Sequence, residues 1–303
     1  MAKAISFDSL PKEIRTALYR IADAQFFSIE RFTPEAITVL NTRIARVYKF
    51  VRRNKKMLAL LDLELDNLIL LRNKKIVSST PLNRMSLSQY EMVVLAYVEG
   101  DLVAGQATAK HARQLAAAQK ALHTAFEKDA RNKVAAWNSA RVLKPVFAKA
   151  NAGDFGPEFL KFARALQREL KGHELSRTDI TFIHADADLT NVLFQNDRAT
   201  LIDWAQSGWG SRYFDIGVAI HGLLGEKKAV QKELLNAYLA EYFGEEGPSA
   251  RDLELIELHV KLRYLAAATA HLSRSKSDQL LHRPRIMRSI EENLRKASKF
   301  SLR

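Results

Sequence analysis

Apolar residues change their spacing near Gly100, and that change limits what the chain can fold into. Before it, short runs of β-forming residues at about 26–30, 37–40 and 44–51 are separated by Thr33-Pro34-Glu35 and Asn41-Thr42-Arg43, the punctuation of an antiparallel meander. A Leu-rich helix is expected over about 54–71, with two more strands near 82–85 and 91–97. Upstream, Leu10, Ile14, Leu18 and Ile21 recur at three- and four-residue intervals behind Pro11, which predicts an amphipathic helix. After Gly100 the helical period dominates, over about 107–150, 156–175 and 216–299, interrupted by compact β-like runs at 180–183, 192–194 and 200–203. The expectation is an α+β chain in two lobes. Residues 1–25 form a helical N-terminal extension, 26–100 a small lobe of antiparallel sheet with one helix, and 101–303 a larger, mainly helical lobe.

The composition removes several classes of chemistry. With 303 residues and 47% hydrophobic content the chain can bury a substantial core, so disorder and collagen-like architectures fall away. It has no Cys, which excludes disulfides, thiolate nucleophiles, zinc ribbons and cysteine-held clusters. No run of about 18 apolar residues is present, so a soluble, cytoplasmic protein is expected. The net charge is +13, yet residues 151–225 carry 7 basic and 10 acidic residues. A local excess of carboxylates in a basic chain suits a divalent cation bound together with a polyanion.

Those carboxylates fall in a pattern. The stretch Phe182-Ile183-His184-Ala185-Asp186-Ala187-Asp188-Leu189-Thr190-Asn191 leads into an apolar run, and Ile202-Asp203-Trp204 follows. Phosphoryl transfer from a nucleotide needs one carboxylate to orient and deprotonate the acceptor hydroxyl. It also needs a carboxylate and an amide oxygen to hold Mg2+ against the phosphates. A strand-loop-strand hairpin can supply all three.

On these residues the sequence resembles the aminoglycoside phosphotransferase and choline kinase-like superfamily, small-molecule kinases with a protein-kinase-like fold. Its members read His-Gly-Asp-x-x-x-x-Asn, an apolar run, Ile-Asp-Trp or Ile-Asp-Phe, a Gly-containing loop and a further Asp. The counterparts here are His184-Ala185-Asp186, Asn191, Ile202-Asp203-Trp204, Gly208, Gly210 and Asp215. The resemblance implies a catalytic loop at 182–194 with Asp186 as base and His184 as its brace. It implies a metal-binding segment at 200–215, with Asn191 and Asp203 as Mg2+ ligands and Asp215 supporting the loop. Val47-Tyr48-Lys49-Phe50 is similar to the strand whose Lys contacts the nucleotide phosphates, and Glu64, fifteen residues on, to its ion-pair partner. Ala96, Tyr97 and Val98 correspond to the hinge whose backbone pairs with adenine, and the helix ending at Leu122-His123 has its counterpart too.

One departure matters. Such kinases cover the phosphates with a glycine-bearing turn between the first two strands, whereas here that turn is Arg31-Phe32-Thr33-Pro34-Glu35-Ala36 and no Gly precedes Gly100. The clamp is then looser, built from Thr33 and neighbouring side chains, or absent. Asp188 adds a carboxylate whose role stays open. The resemblance implies an ATP- and Mg2+-dependent phosphotransferase acting on a small-molecule hydroxyl such as that of a sugar, an amino alcohol or an antibiotic-like acceptor. The alternative is a nucleotide-binding pseudokinase or a regulatory module. The basic C-terminal region favours neutral or anionic acceptors and allows peripheral contact with a membrane surface, while the aromatic interleaving expected of a nucleic-acid platform is missing.

Overall fold

The computed structural model describes residues 6–132, 137, 139–151, 157–173, 175–274, 292, 295–297 and 299–302. Parts of the expected helical stretches, at 133–136, 156 and 275–291, lie outside them. The chain divides into two compact units, one of residues 1–100 with 202–206 and one of residues 101–201 with 207–303.

In the first unit five strands form one antiparallel sheet: β1 (Phe27–Phe32), β2 (Ala36–Asn41), β3 (Arg46–Arg52), β4 (Pro81–Ser86) and β5 (Tyr90–Ala96), in the order β1-β2-β3-β5-β4. The two-residue period sorts the side chains onto two faces. Ile37 and Val39 of β2, Tyr48 and Phe50 of β3 and Met92 of β5 are buried on one face. Helix α1 (Lys12–Tyr19) covers that face with Ile14 and Leu18, each fully buried and each contributing about 1.5–3 kcal/mol. Helix α2 (Lys55–Asn73) starts where the Asn54 side chain accepts the Met57 N–H at 2.9 Å, and it packs on β3 and β4. It buries Leu61, Glu64, Asn67, Leu68 and Leu71.

The second unit is built on α3 (Ala109–Phe126), α4 (Ser139–Asn151), α5 (Pro157–Gly172), α6 (Arg212–Leu223), α7 (Lys228–Phe243) and α8 (Ala250–Arg274). Its core draws Leu143, Ala163, Leu166, Ile183, Val218 and Leu262 from four of these helices and strand β6 (Ile180–Ile183). Two small antiparallel pairs are set into it: β6 with β9 (Gly208–Ser211), and β7 (Val192–Gln195) with β8 (Arg198–Leu201). Strand β9 stands where the resemblance implied a Gly-containing loop, at Gly208-Trp209-Gly210-Ser211; it is held by pairing with β6, Phe182 opposite Trp209. The run expected as a strand over 200–203 ends at Leu201, and Asp203 lies beyond it with a left-handed backbone, φ +63°.

Helices α6 and α8 make the largest contact in this unit, and Gly217 is the reason they approach so closely. A Cβ there would sit 2.8 Å from the backbone carbon of His259. We therefore expect Gly217→Ala to destabilise by about 1–3 kcal/mol, since backbone must move to admit the methyl. Gly172→Ala, where the added carbon meets open space, should change stability by no more than about 0.5 kcal/mol. Denaturant unfolding of both variants checks the contrast.

Candidate active site

The first unit holds a buried charge cluster on the sheet face opposite α1. Lys49, between the inward-facing Tyr48 and Phe50, must point to the other face, where its side chain is only 15% exposed. Its Nζ donates to both oxygens of Glu64 on α2, at 2.6 and 2.9 Å, and to Asp203 Oδ1 at 3.2 Å. Burial by itself would lower the pKa of the Lys49 ammonium; Glu64 and then Asp203 outweigh it and raise that pKa, so the group stays charged. Arg31 Nη1 donates to the other oxygen, Asp203 Oδ2, at 2.8 Å. Burial pushes the Asp203 carboxyl up, and Lys49 and Arg31 pull it below the ordinary aspartate value.

The Asp203 segment is fixed by α2: the buried Asn67 amide donates to Trp204 O at 3.1 Å, and Trp204 is 1% exposed. Neighbouring Glu91 accepts from Arg84 Nε at 2.7 Å and Ser86 Oγ at 2.8 Å and ties β4 to β5. Of the three hinge residues, Ala96 N–H donates to Thr80 O and Tyr97 N–H to Ala45 O. The N–H of Val98 has no partner among the described residues.

In the second unit the loop after β6 is organised by one buried carboxylate. Asp215, fully buried on α6, accepts the N–H of Ala185 at 2.7 Å on Oδ1, and the N–H of His184 at 3.0 Å and His123 Nε2 at 3.1 Å on Oδ2. Its backbone carbonyl takes Gln119 Nε2 at 3.2 Å. Burial would raise this carboxyl, but His123 and the loop amides hold it below the ordinary aspartate value. Ala185 is bent into a left-handed conformation, φ +65°, the geometry that explains a preference for Gly at this position.

Past that bend the reactive side chains gather. His184 is fully buried, and its Nδ1 accepts the Asp186 N–H at 3.3 Å, so it braces the loop. Asn191 Nδ2 donates to Asp186 O at 2.9 Å and Oδ2 at 3.0 Å, which leaves the amide oxygen as the atom available to a cation. Asp188 caps the turn 189–191 by accepting the Thr190 N–H at 2.9 Å. Arg263, on α8, reaches both acids: Nη2 lies 2.8 Å from Asp186 Oδ1 and 3.3 Å from Asp188 Oδ2. Burial raises the Asp186 carboxyl above its ordinary value, with Asp188 adding to the rise and Arg263 opposing it.

Six of the expected residues fall in two clusters, and Ala96, Tyr97 and Val98 lie apart from both. Lys49, Glu64 and Asp203 stand together in the first unit, and His184, Asp186 and Asn191 in the second. Asp203 is joined to the second set by chain, since Leu201 at the end of β8 pairs with Val192 beside Asn191. Sequence reasoning missed Arg31 and Arg263. Nothing in the local sequence distinguishes either from the other surface cations.

The sequence over residues 39–253, more than two-thirds of the chain, matches the phosphotransferase enzyme family. No curated protein shows significant sequence similarity to it. Among solved structures, an amicoumacin kinase in complex with AMP-PNP, Ca2+ and Ami superposes with a TM-score of 0.69 at 15% identity, covering 93% of each chain. Choline kinase LicA from Streptococcus pneumoniae gives 0.68 at 13% identity, covering 95% of this chain and 98% of the other. A spectinomycin phosphotransferase in complex with ADP and spectinomycin gives 0.61 at 16% identity, covering 90% and 92%. At such identities the likeness establishes a kinase-like α+β fold.

Asp215 carries a stability prediction. A carboxyl held below its ordinary value contributes stability that is complete above the unfolded-state pKa near 4 and is lost as pH falls through the lower folded value. Asp215→Asn also turns an amide toward loop N–H donors. It should lower stability at pH 7 by about 3 kcal/mol, with the gap to wild type closing below about pH 4. Denaturant unfolding between pH 3 and pH 7 measures it.

Proposed function

We propose, from the premise that this chain belongs to the phosphotransferase enzyme family, that it transfers the γ-phosphate of ATP, with Mg2+, to a hydroxyl of a small molecule. The observation that carries this is Lys49 Nζ held between Glu64 and Asp203, a buried cation beside a carboxylate kept ionised. A buried ion pair of this kind is a poor device for stability alone, and it is suited to neutralising phosphate charge. The kinases it resembles in fold include complexes with AMP-PNP and with ADP, which supports a nucleotide donor.

The donor set fits a hard cation. Asp203 and the amide oxygen of Asn191 would each offer an oxygen ligand to Mg2+, a cation that takes its other ligands from phosphates and water. When bound, Mg2+ would neutralise the charge of the outer phosphates. Lys49 would hold the phosphates that are not transferred, and Val98 N–H would serve the adenine edge. Asp186, with its carboxyl raised by burial, would accept the proton of the acceptor hydroxyl, and Arg263 and Asn191 would fix its orientation. In this division residues 26–100 would serve the nucleotide, residues 101–303 would supply the catalytic loop at 182–194 and the metal-binding segment at 200–215, and residues 1–25 would be an N-terminal extension. Among the described residues no helix is long and apolar enough to cross a membrane. The reading places the enzyme in the cytoplasm, where ATP is available, with no nucleic-acid partner.

Mass spectrometry over a panel of sugars, amino alcohols, nucleosides and antibiotics, with ATP and Mg2+, should show one acceptor gaining a phosphoryl group. On that acceptor Asp186→Asn should reduce turnover by about 10² to 10⁴ with nucleotide affinity nearly unchanged. Asp188→Asn, which keeps a cap oxygen and loses the charge facing Arg263, should act mainly on acceptor or metal affinity. A collapse of turnover in Asp188→Asn alone would contradict the assignment of the base.

A further inference from the structure

Strand β1 loses its register at one residue. Ile29 pairs with Val39 and Arg31 with Thr38, so Glu30 is an extra residue with no partner on β2. Simple alternation would place Arg31 on the face of Phe27 and Ile29, against the apolar core under α1. The bulge turns it to the opposite face instead. There Arg31 stands opposite Thr38, and Thr38 opposite Lys49, so the two cations lie in one cross-strand row with Thr38 between them. Both reach the same carboxylate, Arg31 on Oδ2 and Lys49 on Oδ1 of Asp203.

The turn that follows has almost nothing to offer a phosphate. Thr33 N–H and Thr33 Oγ1 both donate to Ala36 O, at 2.9 and 2.8 Å, and the same hydroxyl accepts the Ala36 N–H at 2.9 Å. Pro34 has no N–H. One amide, that of Glu35, remains at the tip, where a phosphate-binding loop presents several. Thr33, the side chain that might have replaced them, is used within the turn.

We propose that Arg31 is the phosphate clamp of this enzyme, a side-chain guanidinium doing what backbone amides do in a glycine-bearing turn. The inference rests on the nucleotide reading above. A planar guanidinium matches two phosphate oxygens at once, and Arg31, 52% exposed at its side chain, is free to exchange Asp203 for them. With a nucleotide bound, Asp203 would turn to the metal, and the guanidinium it releases would close over the outer phosphates.

The test is calorimetric titration of the full chain with Mg–ATP, Mg–ADP and adenosine, for wild type, Arg31→Met, Arg31→Lys and the exposed control Lys56→Met. Arg31→Met should weaken Mg–ATP by about tenfold or more and leave adenosine unchanged. Arg31→Lys should recover part of the loss, and Lys56→Met should stay within about twofold of wild type. If Arg31→Met binds Mg–ATP as tightly as wild type, or more tightly, Arg31 is only a counter-ion for Asp203 and the proposal is overturned. If Arg31→Met does not fold, Arg31→Lys decides: adenosine affinity kept with Mg–ATP weakened supports the clamp, and both unchanged rejects it. Wild-type protein that binds adenosine and Mg–ATP equally well rejects it too. Binding of none of the three overturns the nucleotide reading itself and removes the basis of this one.

Discussion

An ammonium group placed under a sheet must be matched by carboxylates, and much of the first unit follows from satisfying Lys49. Its position between Tyr48 and Phe50 sends it to the face away from α1. Glu64 must then come down from α2, which sets the rotation of that helix over β3. Asp203 must arrive from 154 residues away, which requires a left-handed backbone at that residue and the Asn67 bond that pins Trp204 to α2. Breaking such a buried set by removing one member typically costs about 3–5 kcal/mol, so the elements that supply it are mutually dependent.

The second unit meets the same difficulty with the sign reversed. Asp215 is a buried anion, satisfied by two loop amides and the His123 ring. In being satisfied it fixes the start of the loop: it takes the amides of His184 and Ala185, and the left-handed turn at Ala185 then carries the chain on to Asp186, which meets Asn191 and Arg263. The carboxylates proposed to carry the chemistry, Asp186 and Asp203, are pulled in opposite directions by these surroundings. A raised carboxyl suits a proton acceptor, and a depressed one suits a metal ligand.

What was legible in the sequence was whatever a local pattern encodes. The strands of the sheet and the helix between them follow from period-two runs and their punctuation, and each fell within a few residues of its place. Lys49 and Glu64 were legible because their separation fits a strand, a turn and three helical turns, and His184, Asp186, Asn191 and Asp203 because they lie in two short motifs. The features that escaped depend on pairing. The bulge at Glu30 exists only relative to β2, so no reading of β1 alone would send Arg31 to the face of Lys49. Arg263 is 77 residues from Asp186, and its relevance arises from the packing of α8 against the rest of the unit. Strand β9 escaped because two glycines in four residues carry no strand propensity.

Whether the Lys49 cluster is a nucleotide site is the central question, and Asp203 is the residue proposed to tie metal to it. Thermal unfolding of wild type and Asp203→Asn, each with ATP in the presence and absence of Mg2+, tests this most directly. The account predicts that Mg2+ adds to the stabilisation by ATP in wild type and adds nothing in Asp203→Asn, with the unliganded variant still folded. An equal Mg2+ increment in both proteins would contradict it.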